Sequence, residues 1–369
     1  MGVLRLFLAV AVVFDHCLAT AVPFPVTGRT AVECFFAISG FYMALVLDTK
    51  YARLRGRGMW RTFMASRLVR LYPAYAVVLG ATLLLVALEH HRHEPVPLLD
   101  HPLGAAWVLL ATASNATMAG LDVVTFAVIH PDGGLALARS GPQDTPGHYL
   151  LLIPQAWSLS LELCFYLVAP WLVRRSTTFL VALATAGVTG RLALALGGLG
   201  HDPWSYRFFP VELSLFLAGV LAYRWTRGRT FAARTTGFAV AGVVGGMLAL
   251  PALDHVGWVV YAAPYLFALA VPVVFAWSRD NRRDRWVGEL SYPLYVVHVL
   301  VIRAAADLQL RSRVELMLPL SLVAAVALAL LVDAPVERFR QRRLAAVLAR
   351  NTATDAPAMS PDGQPAARV

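Results

Sequence analysis

Apolar residues run along this chain in blocks of about 17 to 25, parted by shorter polar stretches. A helix of that length crosses the hydrocarbon core of a bilayer, because each residue advances it by roughly 1.5 Å. The blocks lie at about 4–22, 30–47, 71–89, 149–173, 177–197, 208–224, 235–250, 257–277, 288–306 and 315–333. They predict an all-α fold, a polytopic transmembrane helical bundle of about ten spans. The first block is read as a retained span and not a cleaved leader. Asp15 and His16 interrupt the apolar run, which is unusual for the core of a leader.

The polar connections alternate in charge. Residues 48–70 carry Lys50, Arg53, Arg55, Arg57, Arg61, Arg67 and Arg70 against a single acid, Asp48. Further arginines follow the fourth block (Arg174, Arg175), the sixth (Arg224, Arg227, Arg229, Arg234), the eighth (Arg279, Arg282, Arg283, Arg285) and the tenth (Arg338, Arg340, Arg342, Arg343). Every second connection is basic, so the positive-inside rule puts both termini in the cytoplasm. A single crossing by the moderately apolar stretch 104–119 would invert every later basic loop. Residues 90–148 are therefore expected to form one long outer connection with a re-entrant or lid-like segment. The expected membrane domain is 1–344, followed by a disordered cytoplasmic tail over 345–369, which is small, polar and proline-bearing.

Composition agrees. Of 369 residues, 58% are hydrophobic and 15% charged, with a mean hydropathy of +0.62, too little polar surface to coat a water-soluble core. The net charge of +10 resolves into the short interhelical clusters, which makes the lipid bilayer the partner and excludes a nucleic-acid reading. Cys17, Cys34 and Cys164 sit in or beside apolar blocks without CxxC spacing and read as buried apolar residues. His90, His91 and His93 with Glu94 read as an exposed run at the exit of a span, and no metal is expected.

The informative charges are the scarce ones inside the blocks: Asp15, His16, Glu33, Glu162, Glu212, His298, Arg303 and Asp333. Each costs roughly 2.5–3.5 kcal/mol on insertion scales, so each is a candidate for function. Membrane enzymes and transporters both carry such sets. Glu212 and Asp333 read as ion-pair or capping residues. His298 either lines a substrate channel or hydrogen-bonds a neighbouring span. Arg5 and His16 stand eleven residues apart, about 16 Å along a helix axis, which puts one at the inner mouth and the other in the outer half.

Five segments stand in order: Arg5 with His16, Phe35 to Phe41 (FFAISGF), Arg67 and Arg70 before Tyr72-Pro73, Trp157/Glu162/Tyr166 in WSLSLELCFY, and Ser291 to His298 (SYPLYVVH). The chain resembles membrane-bound acyltransferase family 3, the integral-membrane O-acyltransferases, over about residues 1–340. It departs at Leu163, where many members have a second glutamate after Glu162.

The resemblance implies transfer of an acyl group, usually acetyl, from cytoplasmic acyl-CoA to a hydroxyl of an extracytoplasmic carbohydrate such as exopolysaccharide or lipopolysaccharide. The setting it implies is the bacterial inner membrane. Acyl-CoA is the co-substrate, and no bound cofactor is expected. Arg5, Arg67 and Arg70 are the expected donor-binding cations, since guanidinium groups offer paired donors to phosphate. His16 is the expected general base, its imidazole being neutral near pH 7. Glu162 is the second catalytic candidate, as an orienter of His16 or a ligand of the acceptor hydroxyl. Ser39, Trp157, Ser160 and His298 are the expected substrate-binding residues. The competing reading is a transporter or flippase of a sugar or lipid-linked substrate, but the two halves show no internal repeat of the kind such proteins carry.

Overall fold

A computed structural model describes residues 1–17, 24–52, 54, 56–91, 104–130, 135–137, 145–231, 233–253, 257–308 and 313–355. The end of the first expected span, Arg53, Arg55, His93, Glu94 and most of 131–144 lie outside the described residues. The chain is almost wholly helical, as bilayer burial of the peptide group requires. The helices are α1 (Gly2–His16), α2 (Gly28–Thr49), α3 (Gly56–His91), α4 (Ala105–Thr117), α5 (Leu121–Val124), α6 (Trp157–Leu172), α7 (Thr177–Leu194), α8 (Phe209–Thr226), α9 (Ala233–Leu253), α10 (Gly257–Ser278), α11 (Arg282–Glu289), α12 (Ser291–Asp307), α13 (Val314–Leu328) and α14 (Ala334–Asp355). Six segments among the described residues are long and apolar enough to cross a membrane: Gly28–Thr49, Gly56–His91, Thr177–Leu199, Trp258–Ser278, Arg282–Ala306 and Val314–Leu348. The expected spans over α1, α6, α8 and α9 do not meet that measure; α1 and α6, at 15 and 16 residues, are short.

Three differences from the sequence reading have simple causes. From Gly56 onward the basic stretch before residue 71 is helix and not a loop: α3 has 36 residues, about 54 Å, so its arginine-bearing first turns continue the span beyond a hydrocarbon core of about 30 Å. The 90–148 connection includes strands, β1 (Ala127–Ile129), β2 (Leu135–Leu137) and β3 (Thr145–Pro146), paired antiparallel in the order β2–β1–β3. Finally, α14 runs past residue 344 to Asp355, and 356–369 lie outside the described residues.

In that connection α4 has only 13 residues, about 20 Å, too short for a crossing. The chain turns back at Met118 (φ 63°) and Gly120 (φ 79°), left-handed backbone that glycine adopts without strain. Tyr72 and Tyr75 of α3 tie the segment down by donating to the carbonyls of Ala116 (2.7 Å) and Asn115 (2.6 Å).

Helix α2 is the hub, packing on α8, α10, α1 and α6. Its contact with α8 is backbone on backbone. A Cβ on Gly40 would stand 1.9 Å from the Phe216 carbonyl oxygen, and one on Gly219 would stand 2.0 Å from that of Ala37. Small residues allow this approach where lipid supplies no hydrophobic drive between helices. A similar contact seats α1 on α11, where a Cβ on Gly2 would meet the Asp284 carbonyl oxygen at 1.5 Å. The Asp284 carboxylate accepts from the Gly2 and Val3 amides (2.7 and 2.9 Å), capping α1. Asp15 accepts from the Gly28 amide at the start of α2 (3.1 Å).

Glu33, Arg191, Glu212 and Glu89, buried away from the basic face, are paired. Arg191 of α7 bridges Glu33 of α2 (3.1 Å) and Glu212 of α8 (2.5 Å), both carboxylates being 0% exposed. Arg29 adds a looser contact to Glu33 (3.4 Å). Glu212 is thus an ion-pair residue, and Arg303 pairs with Glu89. Two expectations follow. Gly219→Leu should destabilise the folded protein by about 1–3 kcal/mol through overpacking, whereas Gly190→Ala, with open space around it, should not, as read by thermal unfolding in detergent. Arg191→Met should cost about 3–5 kcal/mol by stranding two buried carboxylates, and Glu33→Gln in that background should recover part of the loss.

Candidate functional site

The basic face opens into a cavity of about 650 Å³, well within the range of ligand pockets. Every expected donor-binding residue lines it. Arg5 comes from α1, and Arg67 and Arg70 come from α3. The last two are three residues apart, on one helix face. Lys50, Arg285 and Arg340 widen the cationic rim, and Ser39, Tyr42, Glu162, Tyr166, Tyr292 and Tyr295 form the walls further in.

The charge balance here is opposite to that of the Glu33–Arg191–Glu212 network. Arg340 is held by Glu337 (2.6 Å) and Ser66 (2.8 Å). Arg5, Arg67 and Arg70 make no ion pair or side-chain hydrogen bond among the described residues. Arg67 is buried, its Nε has no partner, and its guanidinium lies 5.6 Å from the centre of the Phe63 ring. Burial, then the neighbouring guanidinium groups of Arg340 and Arg67, lower the Lys50 ammonium below its ordinary pKa. A cavity holding unpaired, partly desolvated cations is built to receive an anion carrying several charges.

Glu162 sits deeper in the cavity, within electrostatic reach of Arg5. The Ser39 hydroxyl donates to its Oε1 (2.7 Å), as does the Tyr166 hydroxyl one turn along α6. Gly40 makes the Ser39 contact possible, since it lets α2 sit deep in the bundle with residue 39 turned to α6. Glu162 does not contact His16. Its role as an orienter of that ring is therefore corrected: its partners are Ser39 and Tyr166, on the cavity side of the bundle.

His16 is the last residue of α1 and is exposed; it does not line the cavity. Its Nδ1 donates to the Val12 carbonyl (2.8 Å), so its Nε2 carries the lone pair. The ring stands edge-on to that of His298, centroids 5.0 Å apart. His298 lies one turn beyond Tyr295 on α12, and Tyr295 lines the cavity. The rings of Phe35, Tyr295, His298 and His16 make a row, at 6.3, 6.1 and 5.0 Å, from the cavity to the far end of α1.

Two expected substrate contacts fall elsewhere. Ser160 donates to Asp122 (2.6 Å) and accepts from the Gly120 amide (2.8 Å), pinning the turn after α4. Trp157 is buried against Phe36 and Tyr206, with the Arg207 guanidinium 4.8 Å from its ring centre. Neither lines the cavity. Tyr295 and Lys50, which the sequence reading did not single out, do. Tyr295 falls inside the SYPLYVVH motif, so its position was visible without its direction.

A family model described as an acyltransferase domain matches residues 1–334 of the 369. No curated protein and no solved structure matches the chain.

The unpaired cations carry an expectation of their own. Tripolyphosphate should raise the thermal transition of the detergent-solubilised protein, more at low salt than at high. Arg67→Gln with Arg70→Gln should abolish most of that rise. A shift unaltered in the double variant would put the anion elsewhere.

Proposed function

The chain belongs to acyltransferase family 3, and from that premise we propose that it moves an acetyl group from cytoplasmic acyl-CoA to a hydroxyl of an extracytoplasmic carbohydrate, such as exopolysaccharide or lipopolysaccharide. It is an integral-membrane acyltransferase. The observation that carries the finer reading is the set of Arg5, Arg67 and Arg70, without an ion pair among the described residues, in a cavity that Tyr295 also lines, with His298 and then His16 beyond. Ten spans, cytoplasmic termini and residence in a bacterial inner membrane complete the proposal.

In this reading the donor's phosphates lie against Arg67, Arg70 and Arg5, where paired N–H donors meet phosphate oxygens in a partly desolvated site. The thioester end extends past Glu162 toward Tyr295. Because Ser39 and Tyr166 both donate to one carboxylate oxygen, Glu162 is held in place as an acceptor for a polar group of the donor. The acceptor hydroxyl approaches from the His16 end. His16 takes its proton on Nε2, the nitrogen its Val12 hydrogen bond leaves free. The oxygen attacks the thioester carbonyl, the C–O bond forms, the C–S bond breaks, and the sulfur departs as thiolate on the cavity side and recovers a proton. The base sits at one end of α1 and the donor cations at the other, about 16 Å apart, so neither substrate has to cross the bilayer.

The test is incorporation of label from radioactive acetyl-CoA into surface carbohydrate by membranes containing the protein. His16→Ala should lower turnover at least about 100-fold while donor binding survives. Arg67→Ala should raise the donor KM about tenfold with a smaller change in kcat. Turnover near wild type in His16→Ala removes the base assignment, and sugar flux without label transfer favours a transporter.

A further inference from the structure

His298 is 0% exposed, and its ring has one nitrogen satisfied and one not. Its Nδ1 donates to the Tyr295 carbonyl (2.8 Å), which fixes the hydrogen on that nitrogen. Its Nε2 therefore holds a lone pair, and that atom is buried without a hydrogen-bond partner. An acceptor left unmade in a buried site is costly, so its survival calls for a reason. The neighbouring ring is His16, with centroids 5.0 Å apart and planes at 67°. His16 also commits its single hydrogen to backbone, through Nδ1 to Val12. Two imidazoles thus meet with both Nδ1 hydrogens turned away to carbonyls, and neither Nε2 has a donor among the described residues.

A proton supplies that donor. We propose that His298 is the hydrogen-bond acceptor for the His16 imidazolium, so that the two rings hold in common the one proton taken from the acceptor hydroxyl. This rests on the reading of His16 as the base and adds a positioning residue to it. The balance is that of the transfer above. The hydroxyl O–H bond breaks, the proton enters on His16 Nε2 and is shared with His298 Nε2, and it leaves to the thiolate once the C–S bond has broken. Both rings are then neutral again, each with its hydrogen on Nδ1.

Asp15, Tyr295 and Arg303, around the pair, are engaged elsewhere. Asp15, next to His16, accepts from the Gly28 amide (3.1 Å). Tyr295 is hydrogen-bonded to Ser158 (2.6 Å) and to the Gln155 carbonyl (2.9 Å). Arg303, further along α12, pairs with Glu89 of α3. Glu315 opens α13, where its charge acts on Cys17. No carboxylate among the described residues hydrogen-bonds either ring, and the ring beside His16 is the second imidazole.

The pair can be tested without knowing the acceptor, by NMR titration of full-length protein in detergent with isotope-labelled histidine rings. A His16→Gln sample assigns the signals. In the wild type, both rings should carry their hydrogen on Nδ1 at pH 8, and the pair should take up a single proton as pH falls toward 5. His298→Leu should lower the His16 pKa by about one unit, the size expected for losing a hydrogen bond to a charged group. His298→Gln, whose amide can donate to the Tyr295 carbonyl and accept from His16, should keep more than half of that unit and guards against misfolding in the leucine variant. An unchanged His16 pKa in both variants, or independent protonation of two rings in the wild type, overturns the proposal. Failure of the base reading would appear separately, as normal acetyl transfer by His16→Ala.

Discussion

The contact between α2 and α8 governs the rest of the bundle. At Gly40 and Gly219 the two backbones meet so closely that no side-chain carbon fits between them. In a bilayer this packing must supply what the hydrophobic effect supplies in water. Its consequence is geometric. With α2 drawn into the centre, four of its residues face four different neighbours: Glu33 meets Arg191 of α7, Phe35 meets Tyr295 of α12, Phe36 stacks on Phe216 of α8, and Ser39 reaches Glu162 of α6. The wall of the cavity and the buried ion network are thus set by one helix.

Two populations of charge share the interior. Glu33, Arg191 and Glu212 neutralise one another and hold α2, α7 and α8 together across the face away from the cavity. Such a group offsets its own desolvation only while every member is present. Arg5, Arg67 and Arg70 have no such partners among the described residues, and all three line the cavity. Stabilising charges are closed on themselves, and working charges are left open. The same contrast applies to the histidines, where His16 faces outward and His298 keeps a buried nitrogen free.

Much of this was readable from the residues, unevenly. Arg67 and Arg70 announce themselves by spacing and by the Tyr-Pro that follows, and both line the cavity. His16 was legible as a histidine inside an apolar block. Its pairing with His298 was not, because the two are 282 positions apart (298 minus 16) on helices whose adjacency no local pattern states. Ser160 illustrates the opposite error. It shares a motif with Glu162, yet two residues on a helix point about 200° apart, so it holds the turn after α4 while Glu162 lines the cavity. Arg191 was passed over as one cation in an apolar block, although an unpaired arginine there is itself a signal that carboxylates lie nearby.

By itself the sequence determined that the chain lives in a membrane, that it is built of helices, and which family it belongs to. Those properties follow from run length, from residue type and from short-range motifs, all of them local. Only the tertiary structure decided which charges are matched and which are left open, and which histidine completes the other. Arg191 and Glu33 are 158 positions apart, and their ion pair exists only because α7 and α2 are rotated to bring those faces together. Rotation and adjacency come from packing the whole bundle, with Gly40 and Gly219 where α2 and α8 meet backbone on backbone.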